Sequence, residues 1–322
     1  MTAFESYELF ANCSKVLQRH YYPTVSRSPT EAAFPLGYVV LLNEHLEQVE
    51  IAFNSIYAPQ NFYCYQIDLK APHVIYAAME RLSHCFPNVV VSRRPFSLTR
   101  ASEHNLEKTK MTKWRYLIIL ETHDFPLRNN EEIVRILDLY NDQNDVELTH
   151  DIPSRTKYIF EPSFDELGMH NGYSEVSLSR AFVNSIRKHP AFWSTLTHDE
   201  NLQLPGSYPG RCLQTNNRKT FLTRFTIWQW DKYPCRGYWR NSICVFSSAD
   251  LPFLVNRPEL FANKFWLPED PISVDCLHEL LYNRTYLTDG ITSFNIDAYA
   301  NTSAVLYRNK VNAVFACPGI ID

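Results

Sequence analysis

Gly37-Tyr38-Val39-Val40-Leu41-Leu42 is an unbroken apolar run of strand length. From Glu44 to Ile56 apolar residues then fall at helical spacing (Leu46, Val49, Ala52, Phe53), and Phe62-Tyr63-Cys64-Tyr65-Gln66-Ile67 follows, ending at Asp68. A strand with no polar alternation is one buried on both faces, the habit of parallel sheets covered by helices. The unit repeats: Pro72 to His84 reads as a helix and Val89-Val90-Val91 as a third strand. Tyr116-Leu117-Ile118-Ile119-Leu120 is a fourth strand, ending in the turn Glu121-Thr122-His123-Asp124-Phe125-Pro126. A helix from Asn130 to Tyr140 comes next, with Asn130 as its N-cap and Glu131 and Glu132 in the first turn. Such alternation predicts an α/β fold with a doubly wound sheet and flanking helices. Ligands then bind beyond the carboxyl ends of the strands, where Asp68 and the Glu121–Asp124 turn fall.

Working outward, residues 1–34 read as a lead-in: a short helix reaching His20, then a connector rich in Pro, Ser and Thr (Pro23, Ser26, Ser28, Pro29). Beyond Tyr140, residues 141–170 are polar and irregular, Ser174 to His189 contains a helix, and Phe225-Thr226-Ile227-Trp228-Gln229-Trp230 alternates like a strand. No repeat or long linker divides the chain, so residues 35–322 read as one domain.

Composition removes several function classes. The chain has 322 residues and a net charge of −4, with no basic footprint for nucleic acid. It contains only 8 Gly and no G-x-G-x-x-G, which argues against Rossmann dehydrogenases and P-loop enzymes and leaves any diphosphate to be held by side chains. Its 8 Cys include no Cys-x-x-Cys, so a zinc ribbon or thioredoxin motif is not indicated, while disulfides and a secretory compartment are compatible. Sequons at Asn12, Asn283 and Asn301 fit such an address weakly. No 18-residue apolar run and no signal peptide is present. The aromatic content of 14% suits stacking on sugar faces, and equally suits an aromatic core.

Glu259-Leu260-Phe261-Ala262-Asn263-Lys264-Phe265, with Cys276-Leu277-His278-Glu279-Leu280-Leu281 beyond it, resembles the core-2/I-branching β-1,6-N-acetylglucosaminyltransferases of glycosyltransferase family 14. Tyr57-Ala58-Pro59-Gln60-Asn61-Phe62-Tyr63-Cys64 and Asp68 carry the same resemblance in the first quarter. It implies a GT-A-like mixed sheet, with 35–140 the nucleotide-binding half and 141–322 the acceptor-binding half. It implies inverting transfer of GlcNAc from UDP-GlcNAc to the 6-hydroxyl of a Gal or GalNAc acceptor. Xylose or glucuronic acid as donor sugar, or a glycan-binding paralogue without catalysis, are the alternatives. It further implies a type II membrane anchor, which this sequence does not display, and a Golgi-lumen address.

The resemblance assigns roles by position. Leu41, Asp68, Arg240 and Lys264 would bind the UDP-sugar, with no metal or other cofactor. Most transferases of this fold use a divalent ion on Asp-x-Asp; the second strand here ends Asp68-Leu69-Lys70. Lys264 and an Arg would act instead as a fixed electrostatic clamp on the leaving UDP. Aligned through Cys235 and Cys244, the Arg position holds Asn241, and Arg240 is the nearest cation. A one-residue shift on a strand reverses the side chain's face, so either a bulge returns Arg240 to the site or half of the clamp is missing. Glu200, in Thr197-His198-Asp199-Glu200, would be the catalytic base that takes the acceptor proton. Trp228, Trp230 and Glu161 would meet the acceptor glycan. Competing readings are a helix N-cap for Asp68, a charged loop end for Glu200 and core packing for the two tryptophans. Cys13–Cys85 and Cys235–Cys244 match two family disulfides, leaving Cys64, Cys212, Cys276 and Cys317 unassigned.

Overall fold

β1 (Leu36–Leu42) is buried along its whole length, as its apolar run requires. The computed structural model describes residues 8–10, 12–92, 113–148, 172, 175–185, 193–199, 202–208, 221–287, 294–300 and 302–309. β2 (Phe62–Ile67) and β4 (Tyr116–Glu121) flank β1 in parallel, and β3 (Val89–Val91) lies outside β2, also parallel. On the far edge β6 (Val176–Ser179) runs antiparallel to β4, giving a five-stranded mixed sheet of order β3-β2-β1-β4-β6. The sheet is GT-A-like in this respect: parallel strands carry the fold and one antiparallel strand closes the edge.

Side chains alternate across the strands, so each face has its own core. Tyr38, Val40 and Leu42 of β1 join Tyr63, Tyr65, Tyr116, Ile118 and Leu120 under the helices Leu46–Ile56, His73–Cys85 and Asn130–Tyr140. Val39 and Leu41 point the other way, into a cluster with Cys64, Leu117, Ile119, Val176, Leu178 and Leu196. Much of the aromatic excess is spent on the first face, where Tyr22, Phe53, Tyr63 and Phe86 pack edge to face or tilted, and Tyr38 and Tyr57 both stack on Tyr63, at 5.3 and 5.9 Å. Each such pair adds about 0.5–1.5 kcal/mol beyond its buried area. The buried Tyr63 hydroxyl is satisfied, donating to the Ile56 carbonyl at 2.7 Å and accepting from the Ala58 amide at 2.8 Å.

The lead-in is tied into this core. Phe10, Val16, Tyr22 and Phe34 are buried in the main cluster, and a disulfide joins Cys13 to Cys85 with Cα atoms 5.2 Å apart. Within the expected connector, Ser28 caps a short helix, Pro29–Ala33. Its Glu31 accepts from Asn130 Nδ2 at 2.7 Å, while Asn130 Oδ1 accepts from Asn61 Nδ2 at 2.7 Å and Asn61 Oδ1 from the Leu36 amide at 2.9 Å. This network corrects the expected N-cap. Asn129 caps Asn130–Tyr140 through a reciprocal pair with Glu132, and Asn130 sits inside the helix with its amide committed to the buried network.

The helix expected within Ser174–His189 is present as Arg180–Ser185, preceded by β6, whose Val-Ser-Leu-Ser period of two is a strand signal. One further expectation needs correction. The strand expected over Phe225–Trp230 is only β7 (Arg224–Thr226); after it the chain turns. β7 and β5 (Phe125–Pro126) flank β10 (Phe261–Asn263) in a second, three-stranded sheet. A hairpin of β8 (Tyr238–Arg240) and β9 (Ile243–Val245) completes the strands, and Cys235–Cys244 pins it with Cα atoms 5.7 Å apart. The helix Pro271–Tyr286 closes this half, burying Val274, Leu277 and Leu281 against Ile51. Cys276 on that helix is an exposed thiol.

Candidate active site

The sheet changes direction between β1 and β4: β2 and β3 lie on one side of β1, and β4 and β6 on the other. Loops leaving the carboxyl ends of two such strands diverge and open a crevice between them. A pocket of about 200 Å³ occupies that crevice here, lined by Leu41, Asn43 and Glu44 after β1 and by Glu121, Thr122 and His123 after β4. Arg240, Asn241, Lys264 and Trp266 close it from the second half of the chain.

Buried polar side chains fix these walls. Thr122 Oγ1 accepts from the Asn43 amide at 3.0 Å and lies 2.8 Å from Asn43 Oδ1, locking the two strand-end loops together. Gln48 is fully buried; its Nε2 donates to the Phe265 carbonyl at 3.2 Å and its Oε1 accepts from the Leu267 amide at 2.9 Å. The Phe265 amide in turn donates to the His123 carbonyl at 3.1 Å. One glutamine from the first helix after β1 thereby holds the segment that carries Lys264 and Trp266.

Lys264 follows β10 directly and reaches the pocket because β10 is wedged between β5 and β7. Burial lowers its pKa; Glu121 and Glu44 oppose that shift, while Arg240 and Arg224 add to it. Arg240 ends β8, and the regular ladder to Ile243 leaves only Asn241 and Ser242 in the turn, both with positive φ (51° and 64°). This is the two-residue hairpin turn whose twist matches its strands. No bulge is present in the hairpin. Arg240 enters the pocket by another route: its guanidinium carbon lies 3.3 Å from the centre of the Trp266 ring. His123 lies nearly parallel to the same indole, at 4.6 Å and 20°. The side chain is held by cation–π contact, strongest on tryptophan.

Leu41, Arg240 and Lys264 are therefore brought together. Asp68 is not in this pocket. It lines an adjoining open cleft of about 1070 Å³, which shares Asn43 and Glu44 with the pocket. Asp68 Oδ1 accepts from the Lys70 amide at 2.7 Å, while Pro72 occupies the N-cap of His73–Cys85, so the N-cap reading of Asp68 does not hold.

Trp228 and Trp230 stack on each other at 5.0 Å and 10°, although only Trp228 keeps a strand-like pairing, a single bridge to Ile243, before the chain turns at Gln229 and Trp230. The turn is closed by Asp231, whose carboxylate accepts from the Trp228 amide at 2.9 Å and whose own amide donates to the Trp228 carbonyl at 2.8 Å. Trp230 is 69% exposed, which excludes core packing for it. Gln229 donates to the Ser242 carbonyl at 3.0 Å, placing the aromatic pair beside the hairpin turn that carries Arg240 and Asn241 to the pocket. Glu200, Glu161, Cys212 and Cys317 lie outside the described residues.

Behind the pocket a buried charge cluster supports the β4 loop. Arg224 Nη1 is 2.6 Å from Glu175 Oε1 and 3.7 Å from Asp124 Oδ1. Asp124 also accepts from the Glu121 amide at 2.6 Å and from Asn263 Nδ2 at 3.0 Å. Asp124 thus ties the β4 turn to the residue preceding Lys264. Burial raises the Asp124 carboxyl to about 6 against the pull of Arg224. His123 is driven the other way: burial, then Lys264, His45 and Arg240, lower its pKa to about 3, so the ring is neutral. Glu44, His45 and His123 are the one group among the described residues with metal-ligand spacing.

Arg224, Gln48, Thr122 and Trp266 were not singled out by the sequence. Of these, only Trp266 had a usable signal, two residues beyond Lys264.

A family model described as "Branch: Core-2/I-Branching enzyme" matches residues 36–254. A human N-acetyllactosaminide beta-1,6-N-acetylglucosaminyl-transferase is 28% identical over 336 residues, covering 90% of this chain and 82% of that protein. Two human beta-1,3-galactosyl-O-glycosyl-glycoprotein beta-1,6-N-acetylglucosaminyltransferases are also similar. One is 27% identical, covering 86% of this chain and 77% of its own. The other, designated 3, is 29% identical, covering 81% and 72%.

Proposed function

The chain belongs to the Core-2/I-branching enzyme family, and from that premise we propose that it is an inverting glycosyltransferase that binds a UDP-sugar without a metal and transfers its sugar to a glycan. GlcNAc is the proposed donor sugar and the 6-hydroxyl of a Gal or GalNAc residue the proposed acceptor, in keeping with the names of its relatives. The observation that carries the reading is the convergence of Lys264 and Arg240 on one pocket at the β1/β4 crevice. Two cations aimed at a diphosphate stabilise the charge that develops as UDP leaves, and being fixed they need no reorganisation. Glu200 is the proposed base. Trp228 and Trp230 offer stacked, accessible rings beside the pocket rim, suited to the apolar face of a pyranose. Two disulfides favour an oxidising compartment, and a Golgi-lumen address is part of the proposal. No helix among the described residues is long and apolar enough to cross a membrane.

The test is UDP binding in excess EDTA, followed by transfer from UDP-GlcNAc, UDP-xylose and UDP-glucuronate to a glycan panel. Binding is expected to persist in chelator; loss of binding in EDTA that Mn²⁺ restores would overturn the metal-free clamp. UDP binding without transfer to any acceptor would favour the glycan-binding reading instead. Lys264→Ala is expected to weaken UDP by about 1.5–3 kcal/mol, the usual worth of a hydrogen bond to a charged group. An unchanged dissociation constant would place Lys264 outside the site.

Trp266 should matter mainly through Arg240. Trp266→Leu is expected to weaken UDP by about 0.5–2 kcal/mol, the range of a cation–π contact. In an Arg240→Ala background the same change should have a smaller effect, since only the His123 and His45 rings then remain for the indole to position. Additive losses in that double-mutant cycle would mean that the two side chains act independently.

A further inference from the structure

We propose that His198 is an imidazolium in the folded protein and a positioning residue for the reaction, closing the loop that leads to Glu200. His198 is 2% exposed, and each of its ring nitrogens meets a main-chain oxygen. Nδ1 lies 3.1 Å from the Tyr208 carbonyl and Nε2 3.1 Å from the Val146 carbonyl. A carbonyl oxygen can only accept. A neutral imidazole has one N–H and one lone pair, so either tautomer would aim a lone pair at one of these oxygens. Only the cation donates to both.

Burial by itself favours the neutral ring, so two effects compete. The neutral ring would hold a buried acceptor against another acceptor, at the cost of an unmade hydrogen bond. The charged ring makes two charge-assisted bonds, each roughly twice as strong as a neutral one. His198 also ends the helix Trp193–His198, where the helix dipole favours positive charge. The ionisable groups on the elements around it are Asp199 beside it in the chain, Asp145 and Glu147 on either side of Val146, and Tyr208. The Tyr208 ring meets the imidazole edge to face at 4.9 Å. Arg224, whose charge reaches Glu147, is paired with Glu175 and Asp124. Three carboxyls thus flank the contacts of the ring, and negative charge there favours the cation.

The same contacts clasp a loop at its base. The Tyr208 amide donates to the Thr197 carbonyl at 3.1 Å, while the Tyr208 carbonyl accepts from His198. Val146 fixes this clasp to the main sheet, because its neighbour Asp145 bridges to Ser177 of β6. In the sequence Glu200 follows His198 by two residues, inside the clasped stretch. The role in transfer rests on Glu200 being the base, as proposed above; the protonation of His198 does not. A histidine held as a cation contributes its stability in full below the unfolded pKa of about 6.5. It loses that contribution as pH rises through the higher folded value.

The experiment is NMR of the imidazole nitrogens in protein carrying ¹⁵N-histidine, with His198→Gln identifying the signal. Near pH 7.5, where an ordinary imidazole is mostly neutral, both His198 nitrogens should carry protons. One unprotonated nitrogen would overturn the proposal. Should His198→Gln fail to fold, the absence of any doubly protonated imidazole among the 11 histidines of wild type overturns it equally. Near pH 6.5, His198→Gln should lower kcat by about 10²-fold, the cost of a small misplacement of a reacting group, with the UDP dissociation constant unchanged. That gap should close as pH rises and wild type loses the same proton, since titration of other groups is common to both proteins. A gap independent of pH, or a parallel loss of UDP binding, would give His198 a general structural role and overturn the positioning. A doubly protonated His198 in a wild type that transfers no sugar would overturn the function proposed above and leave the clasp intact.

Discussion

Glu200→Gln is expected to slow sugar transfer by about 10²–10⁴-fold, the usual loss when a positioned general base is removed, while UDP affinity and folding stay unchanged. An attacking hydroxyl must shed its proton as it reaches the anomeric carbon. An inverting enzyme needs one carboxylate for this and none as nucleophile. The amide keeps the shape of the side chain but cannot accept the proton. Full transfer in the variant would exclude Glu200. Lost transfer together with lost UDP binding would indicate a structural role. The assignment comes from the Thr197-His198-Asp199-Glu200 motif, whose first two residues end the helix Trp193–His198. His198 is buried, with its ring nitrogens 3.1 Å from the Tyr208 and Val146 carbonyls, and Asp199 Oδ1 accepts from the Leu202 amide at 3.3 Å.

The second large effect is expected in stability. Arg224→Leu should destabilise the fold by about 3–5 kcal/mol, because it strips a buried ion cluster of its cation. Glu175 and Asp124 would remain buried beside Glu121. Burial already raises both carboxyls, Asp124 to about 6 and Glu175 well above the usual range, and Arg224 opposes each shift. Without the arginine both pKa values rise further. The folded variant then keeps protons that the unfolded chain releases as pH climbs past about 4, so its stability falls with rising pH. Denaturant unfolding should show a small loss relative to wild type near pH 4.5, of order 1 kcal/mol, and the full loss near pH 7.5. A pH-independent loss would mean that the cost is packing and not unpaired charge. Because Asp124 also holds the turn beside Lys264, the variant should bind UDP more weakly even where it is folded.

Sequence reading was most successful where burial leaves a period along the chain. β1, β2, β3 and β4 lie where their apolar runs are, and the Glu121–Asp124 turn does wall the pocket. Lys264 was legible through the motif around it. The failures have different causes. Asn129 displaced Asn130 as N-cap because the Asn130 amide was claimed by Glu31 and Asn61, far away in sequence and invisible to a local pattern. The Phe225–Trp230 strand stopped early because Asp231, only three residues on, closes a turn on Trp228.

By itself the sequence determined the α/β class, the positions of β1 to β4 and the end of the sheet at which the pocket opens, since alternation and apolar runs encode which faces are dry. Only the tertiary structure decided what meets in the crevice. Arg240 reaches it because a two-residue turn presents it to Trp266. Gln48 and Thr122 hold its walls across separations of 74 to 219 residues. Glu44, His45 and His123 converge because parallel strands end side by side. Convergence of this kind depends on strand register and turn geometry, through-space quantities that one-dimensional spacing does not record.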